Sequence, residues 1–166
     1  MTDMSLEAAV RARRSVRGFL PDPVPQETLD KVFDLARWSP SGTNIQPWQV
    51  YVASGATRDH LREQFMQRAK DKHPPSVDHK DSRVPSGEVW KTRRRECAAV
   101  LYDAMSVAWD DKPSRAEVAF RNFELFDAPH VAFLCMNEVF GIGTACEVGK
   151  YAQTLMHAMT SNGLAS

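Results

Sequence analysis

The 166 residues are enough for one domain with a hydrophobic core, and 21 lysines and arginines against 21 aspartates and glutamates leave a formal net charge of zero. That balance excludes the broad positive surface of a protein that grips a polyanion, so nucleic acid is not expected as a partner. Hydrophobic residues at 43% with 25% charged exclude a disordered chain.

Ser5 is placed to cap a first helix whose apolar positions Leu6, Ala9 and Val10 share a face, and "RRSVRGF" follows as its exit. The connector "LPDPVPQ" sets Pro25 at the first turn of a second helix, which carries Leu29, Val32, Phe33 and Ala36 on one side and stops near Trp38. "SPSGTN" is loop by composition, and "WQVYVAS" is a short strand ended by Gly55. Thr57 then caps a helix with Leu61 and Phe65 at i, i+4 spacing. From Asp71 to Gly87 the chain is polar and proline-containing, either a functional lid or a mobile excursion. A helix is predicted from Glu88 to Ala108, and another from a Ser114 cap with Ala119, Phe120 and Phe123. "HVAFLCM" at 130–136 reads as a well-buried strand. The last helix runs from Thr144 to Asn162. Its apolar face is Ala145, Val148, Ala152, Leu155, Met156 and Met159, widened by the small residues Gly149 and Ala158. It is either central or at a subunit interface, and Gly163 stops it. Six helices stand against only two strands, too few for a sheet that is stable without further partners.

Cys97, Cys135 and Cys146 form no C-x-x-C pair, so reduced, buried thiols are expected in place of a disulfide framework or zinc site. The histidines His60, His73, His79, His130 and His157 show no zinc-enzyme spacing, and no metal is expected. "GIG" at 141–143 is too short for a dinucleotide fingerprint and is taken as a turn. No apolar run approaches the roughly 20 residues of a membrane span, and the N-terminal stretch lacks a signal-peptide core, which makes a cytoplasmic protein the expectation.

Two phrases carry chemistry. In "RRSVR" at 13–17, an extended backbone puts Arg13, Ser15 and Arg17 on one side, two cationic forks and a hydroxyl for one phosphate. The bland alternative is a solvated, charged helix end. In "PSGTNIQPW" at 40–48, Gly42 lets backbone approach a flat ligand, Ser41 and Thr43 offer hydroxyls, and Asn44 and Gln46 can read the polar edge of a heterocycle. A helix-to-strand loop with Trp48 merely packing is the competing reading. The basic "KTRRREC" at 91–97 could meet an acidic substrate or form a solvated helix face, and Trp90 and Trp109 beside it could line a lid or pack.

Taken together, "RRSVRGFLPDPVP", "ARWSPSGTNIQPWQVYV", "RNFELFDAPHVAFL" and "GIGTACEVGKYAQTLMHAMTSNGL" resemble the nitroreductase family across essentially the whole chain, and "RRREC" with "RNFELF" resembles its nitrobenzoate reductase branch. The resemblance implies an α+β fold with helices around a small, mostly antiparallel sheet, spanning residues 1–166 as a single domain. It implies FMN as cofactor and NADH or NADPH as electron donor. Hydride would pass through flavin N5 to nitroaromatic or quinone-type acceptors by a ping-pong mechanism. By position, Arg13, Arg14, Ser15 and Arg17 would serve the flavin phosphate and ribityl tail, and Pro40, Ser41, Gly42 and Asn44 the isoalloxazine, with Gln153 a further candidate. The resemblance also implies a homodimer with flavin at the interface, each site drawing its two phrases from different subunits. Family members continue for several tens of residues past the equivalent of "SNGLAS", so the C-terminal part of the fold is expected to be missing from this chain. A flavin-binding or interaction module without turnover is the alternative that this shortfall raises.

Overall fold

A computed structural model describes residues 4–78 and 87–166. It divides into two compact units, one built from residues 1–61 and 125–166 and the other from residues 62–124.

The first unit contains a two-stranded antiparallel sheet of β1 (Trp48–Ser54) and β2 (His130–Met136), in register from Trp48 opposite Met136 to Ser54 opposite His130. Period-2 alternation puts Trp48, Val50, Met136 and Leu134 on one face. Helices α1 (Leu6–Ala12), α2 (Gln26–Ala36) and α6 (Ile142–Ser161) complete the unit, with α6 packing on α1, α2 and both strands. Val32, Ala36, Tyr151, Leu155 and Ala158 form the buried core, with Phe33, Trp48, Val50, Leu134 and Met159 packed around it. The shortage of strands is thus met by helices, since packing against a helix stabilises a sheet too small to stand alone. Of its two possible places, α6 occupies the centre of the unit.

Each element of this unit traces to local chemistry. Ser5 caps α1 by accepting from Ala8 N–H at 3.2 Å, and Ala9 is its one buried residue, while Leu6 and Val10 are exposed. Ser39, itself buried, ends α2 by donating its hydroxyl to the Ala36 carbonyl at 2.7 Å. Helix α3 (Gly55–Lys70) starts directly from β1 at Gly55, whose φ of 52° makes the turn. Thr57 is therefore inside the helix and not its cap. Leu61 and Phe65 are half-buried, as their spacing predicts.

The second unit holds α4 (Glu88–Ala104) and α5 (Lys112–Phe120). Helix α4 ends four residues before the expected Ala108, and Met105 with Val107 closes it through backbone bonds to Leu101 and Tyr102 carbonyls. Asp111, not Ser114, caps α5: its carboxylate accepts from Ser114 N–H at 3.1 Å and from the Ser114 hydroxyl at 2.7 Å. Trp109 packs in a local cluster, edge-on to Tyr102 with ring centroids 5.7 Å apart and with the Arg115 guanidinium 5.0 Å from its centroid. The Arg93 guanidinium lies over Trp90.

Three further expectations are corrected. Cys97, Cys135 and Cys146 are free but exposed in the single chain, because α4, β2 and α6 turn other residues inward. Strand β2 is half-buried, with Ala132 and Cys135 open. Gly141 caps α6 and Ile142 and Gly143 form its first turn, so "GIG" is a helix start. Of the 71–87 segment, residues 79–86 lie outside the described residues, as does His79. Among the described residues no cluster of three His, Cys, Asp or Glu could hold a metal, and no helix is long and apolar enough to cross a membrane.

Candidate functional site

Helix α1 ends at Ala12, and Arg13 leaves it with φ −55° and ψ 129°, so the basic phrase is non-helical from its first residue. Part of the cluster serves that helix end. Arg11 pairs with Glu7 at 2.8 Å, and Arg14 Nη1 donates to the Arg11 and Arg13 carbonyls, satisfying acceptors that a helix C-terminus leaves open. The remainder carries no ion pair: among the described residues no carboxylate pairs with Arg13 or Arg17, and Ser15 is exposed. Arg17 donates Nη1 to the Val16 carbonyl at 2.9 Å and holds its guanidinium 5.1 Å from the Phe126 ring centroid.

The segment is held from both sides by distant backbone. Val16 N–H donates to the Ser166 carbonyl and Phe19 N–H to the Phe126 carbonyl, both at 3.0 Å. Phe126 sits in a turn where Leu125, Phe126 and Asp127 all have positive φ, at 57°, 51° and 62°. Three such non-glycine residues in succession store strain that the surrounding bonds must hold.

The second phrase forms a turn of 3-10 type over Gly42–Asn44. Thr43, Asn44 and Gln46 take positive φ of 48°, 57° and 47°, again left-handed and without glycine. Its internal bonds run from Asn44 N–H to the Ser41 carbonyl, Ile45 N–H to the Gly42 carbonyl, Gln46 N–H to Ser41 Oγ at 2.9 Å, and Gln46 Nε2 to Asn44 Oδ1 at 3.1 Å. Pro47 is buried and Trp48 stacks on Tyr151 at 5.0 Å, anchoring the exit into β1, while Pro40, Gly42 and Asn44 are exposed. Outside the phrase, Gly42 N–H donates to Glu147 Oε2 on α6 at 2.8 Å.

No described hydrogen bond or ion pair joins residues 13–17 to 40–46 within the chain. Gln153 Nε2 is engaged with His157 Nε2 on α6 at 2.7 Å. Sequence reasoning missed Glu147, Phe126 and His130. His130 Nε2 accepts from Val24 N–H at 2.8 Å and its Nδ1 meets Ser54 Oγ at 2.6 Å, so Nδ1 carries the proton and the ring ties the proline connector to the end of β1. That bond to Val24 spans 106 residues of sequence, and no local pattern signals it.

The sequence pattern described as "Nitroreductase family" matches residues 10–166. The chain belongs to the nitroreductase family. Nitroreductase NfnB of Mycolicibacterium smegmatis is 39% identical over 160 residues, covering 96% of this chain and 68% of that protein. A 4-nitrobenzoate reductase of a Nocardioides species is 31% identical, covering 98% of this chain and 67% of its own length. The crystal structure of the FMN-dependent nitroreductase NfnB from Mycobacterium smegmatis, in complex with NADPH, superposes with a TM-score of 0.88 at 38% identity, covering 96% of this chain and 71% of that one. The FMN and NADPH-dependent nitroreductase NfnB from Sphigopyxis sp. strain HMH gives 0.90 at 29% identity, with 98% and 73% covered. The α+β nitroreductase fold, helices around a small antiparallel sheet, is therefore the fold of this family member.

Proposed function

We propose that the protein is an FMN-dependent NAD(P)H nitroreductase that acts as a homodimer on nitroaromatic or quinone-type acceptors. Support for the cofactor and donor comes from the two NfnB structures, one FMN-dependent and bound to NADPH, the other dependent on both. Support for the acceptor comes from relatives that reduce 4-nitrobenzoate. The continuous match from residue 10 to 166 supports treating the chain as one nitroreductase-like domain. A cytoplasmic location follows from the need for a reduced nicotinamide pool.

The observation that carries the reading is a non-helical basic segment whose Arg13 and Arg17 have no carboxylate partner among the described residues. A phosphate dianion fits that donor set: two planar forks for bidentate bonds and the Ser15 hydroxyl between them. Arg14 supports the segment by holding the end of α1. Pro40, Ser41, Gly42 and Asn44 would hold the isoalloxazine, the Asn44 amide reading a ring edge from a loop whose left-handed backbone is already formed. When bound, FMN would supply the redox chemistry between NADH or NADPH as donor and the nitroaromatic or quinone-type acceptor, in the ping-pong order that the family resemblance implies. The side chains bind and orient. Large exposed apolar side chains in the first unit, Leu20, Trp38, Tyr51, Val139 and Ile142, support burial against a second copy.

The test compares FMN with riboflavin, which lacks the phosphate. Arg13→Ala and Arg17→Ala should each weaken FMN about tenfold or more, the equivalent of about 1.5–3 kcal/mol for a charge-assisted hydrogen bond, and leave riboflavin unchanged. Protein that stays colourless with added FMN, or variants that bind FMN as well as the parent, would refute the assignment.

A further inference from the structure

Glu147 lies in the first half of α6, with Lys150 Nζ 3.8 Å from its Oε1 and its side chain only 18% exposed. Its Oε2 accepts from Gly42 N–H at 2.8 Å across 105 residues of sequence. Among the described residues this is the one hydrogen bond that joins the 41–46 turn to another element. All other hydrogen bonds of the turn are internal to it, and they hold three non-glycine residues in the left-handed region. Left-handed backbone at such residues persists only where its surroundings over-determine it. The internal bonds fix the shape of the turn; Glu147 ties its start to α6 by a hydrogen bond, and the Trp48 stack on Tyr151 holds only its exit.

We propose that Glu147 is a positioning residue for the flavin-facing loop: its carboxylate sets where the 41–46 backbone stands on α6, and thereby where the Asn44 amide and the Gly42 backbone meet the flavin ring. The inference rests on the assignment of this loop to the isoalloxazine. It requires an acceptor oxygen at the end of a three-carbon acid side chain and does not require its charge. Glutamine keeps an oxygen at the same reach. Aspartate keeps the charge and falls one methylene short, and alanine removes both. A Cβ added at Gly42 would stand 3.5 Å from Glu147 Oε1, an ordinary contact, so the glycine is not what allows the bond.

Amide hydrogen exchange over residues 40–48 of the full chain reads the bond without using turnover, and binding of FMN and riboflavin reads its effect on the ligand. Glu147→Ala and Glu147→Asp should exchange about tenfold faster in this segment, and Glu147→Gln should exchange like the parent. The two faster variants should weaken FMN and riboflavin by the same factor, since the loop serves the ring and not the phosphate. That pattern differs from Arg13→Ala and Arg17→Ala, which act on FMN alone. Unchanged exchange in Glu147→Asp, with melting temperature preserved, would overturn the inference. Faster exchange with both flavins bound as before would overturn it too. Failure of the arginine variants to discriminate the flavins strikes the phosphate assignment and leaves the Glu147 result to stand on its own exchange data.

Discussion

Tyr151 brings a phenol into the packing face of α6, where its ring is 2% exposed and stacked on Trp48. Burial raises its pKa above the ordinary 10.0, and the nearby Arg37 charge works in the opposite direction. A group whose folded pKa is raised contributes stability that is fully present below the unfolded value and is lost as pH rises through the folded one. Unfolding midpoints in urea should therefore fall as pH is raised beyond about 10. Tyr151→Phe keeps the ring and removes the ionisation, so its midpoint at neutral pH should stay close to the parent and its alkaline fall should be shallower. An identical alkaline fall in both proteins would rule Tyr151 out as its source. At this scale the sequence was informative where a site is local. Arg13, Ser15 and Arg17 sit within five positions and could be read together. Glu147 and His130 act on Gly42 and Val24 across more than a hundred residues, and nothing in their own neighbourhoods announces it.

Helix α5 shows how element boundaries go astray. Asp111 and Ser114 are both good capping residues three positions apart, and the choice between them rests on Pro113, which is tolerated in the first turn and so sits after the cap. The Ser114 hydroxyl and N–H both donate to the Asp111 carboxylate and hold its pKa below the ordinary 3.8. A depressed carboxylate contributes stability present above its unfolded pKa and lost as pH falls through the folded value. Asp111→Asn retains an acceptor without the ionisation, so the protection of amides across 112–120, taken relative to their intrinsic exchange rates, should become insensitive to pH below about 4. In the parent that protection should fall there, and Asp111→Ala should be less protected at every pH. Equal acid sensitivity in parent and asparagine variant would contradict the cap. The start of α3 failed for a related reason. Strand and helix abut at Gly55 with no linker, so the Thr57 capping signal was real in type and unused in place. Helix α2 and the centre of α6 were legible from their apolar periodicity, and strand β1 from its β-branched and aromatic residues.

At the scale of the whole molecule, the family and the fold were readable from residue order, because the phrases that carry the resemblance are short and specific. Burial was less readable. Cysteine type suggested an interior position, yet all three thiols are open in a single chain, and so are Trp38 at 81% and Val139 at 78%. The proposed homodimer makes a direct prediction: light scattering should return twice the 18.7 kDa chain mass over a dilution series, and a monomer at all concentrations would defeat it. The antiparallel sheet has a different consequence, one that concerns how the protein is made. Ser54 at the end of β1 and its partner His130 are 76 residues apart, with the whole second unit between them. At about 5–20 residues per second, a ribosome needs roughly 4–15 s to pass from one to the other. During that time the completed β1 has no partner in its own chain, and neighbouring nascent chains on the same message carry the same unpaired strand. The interval in which this protein is most open to mispairing is set by translation, before its own second strand exists.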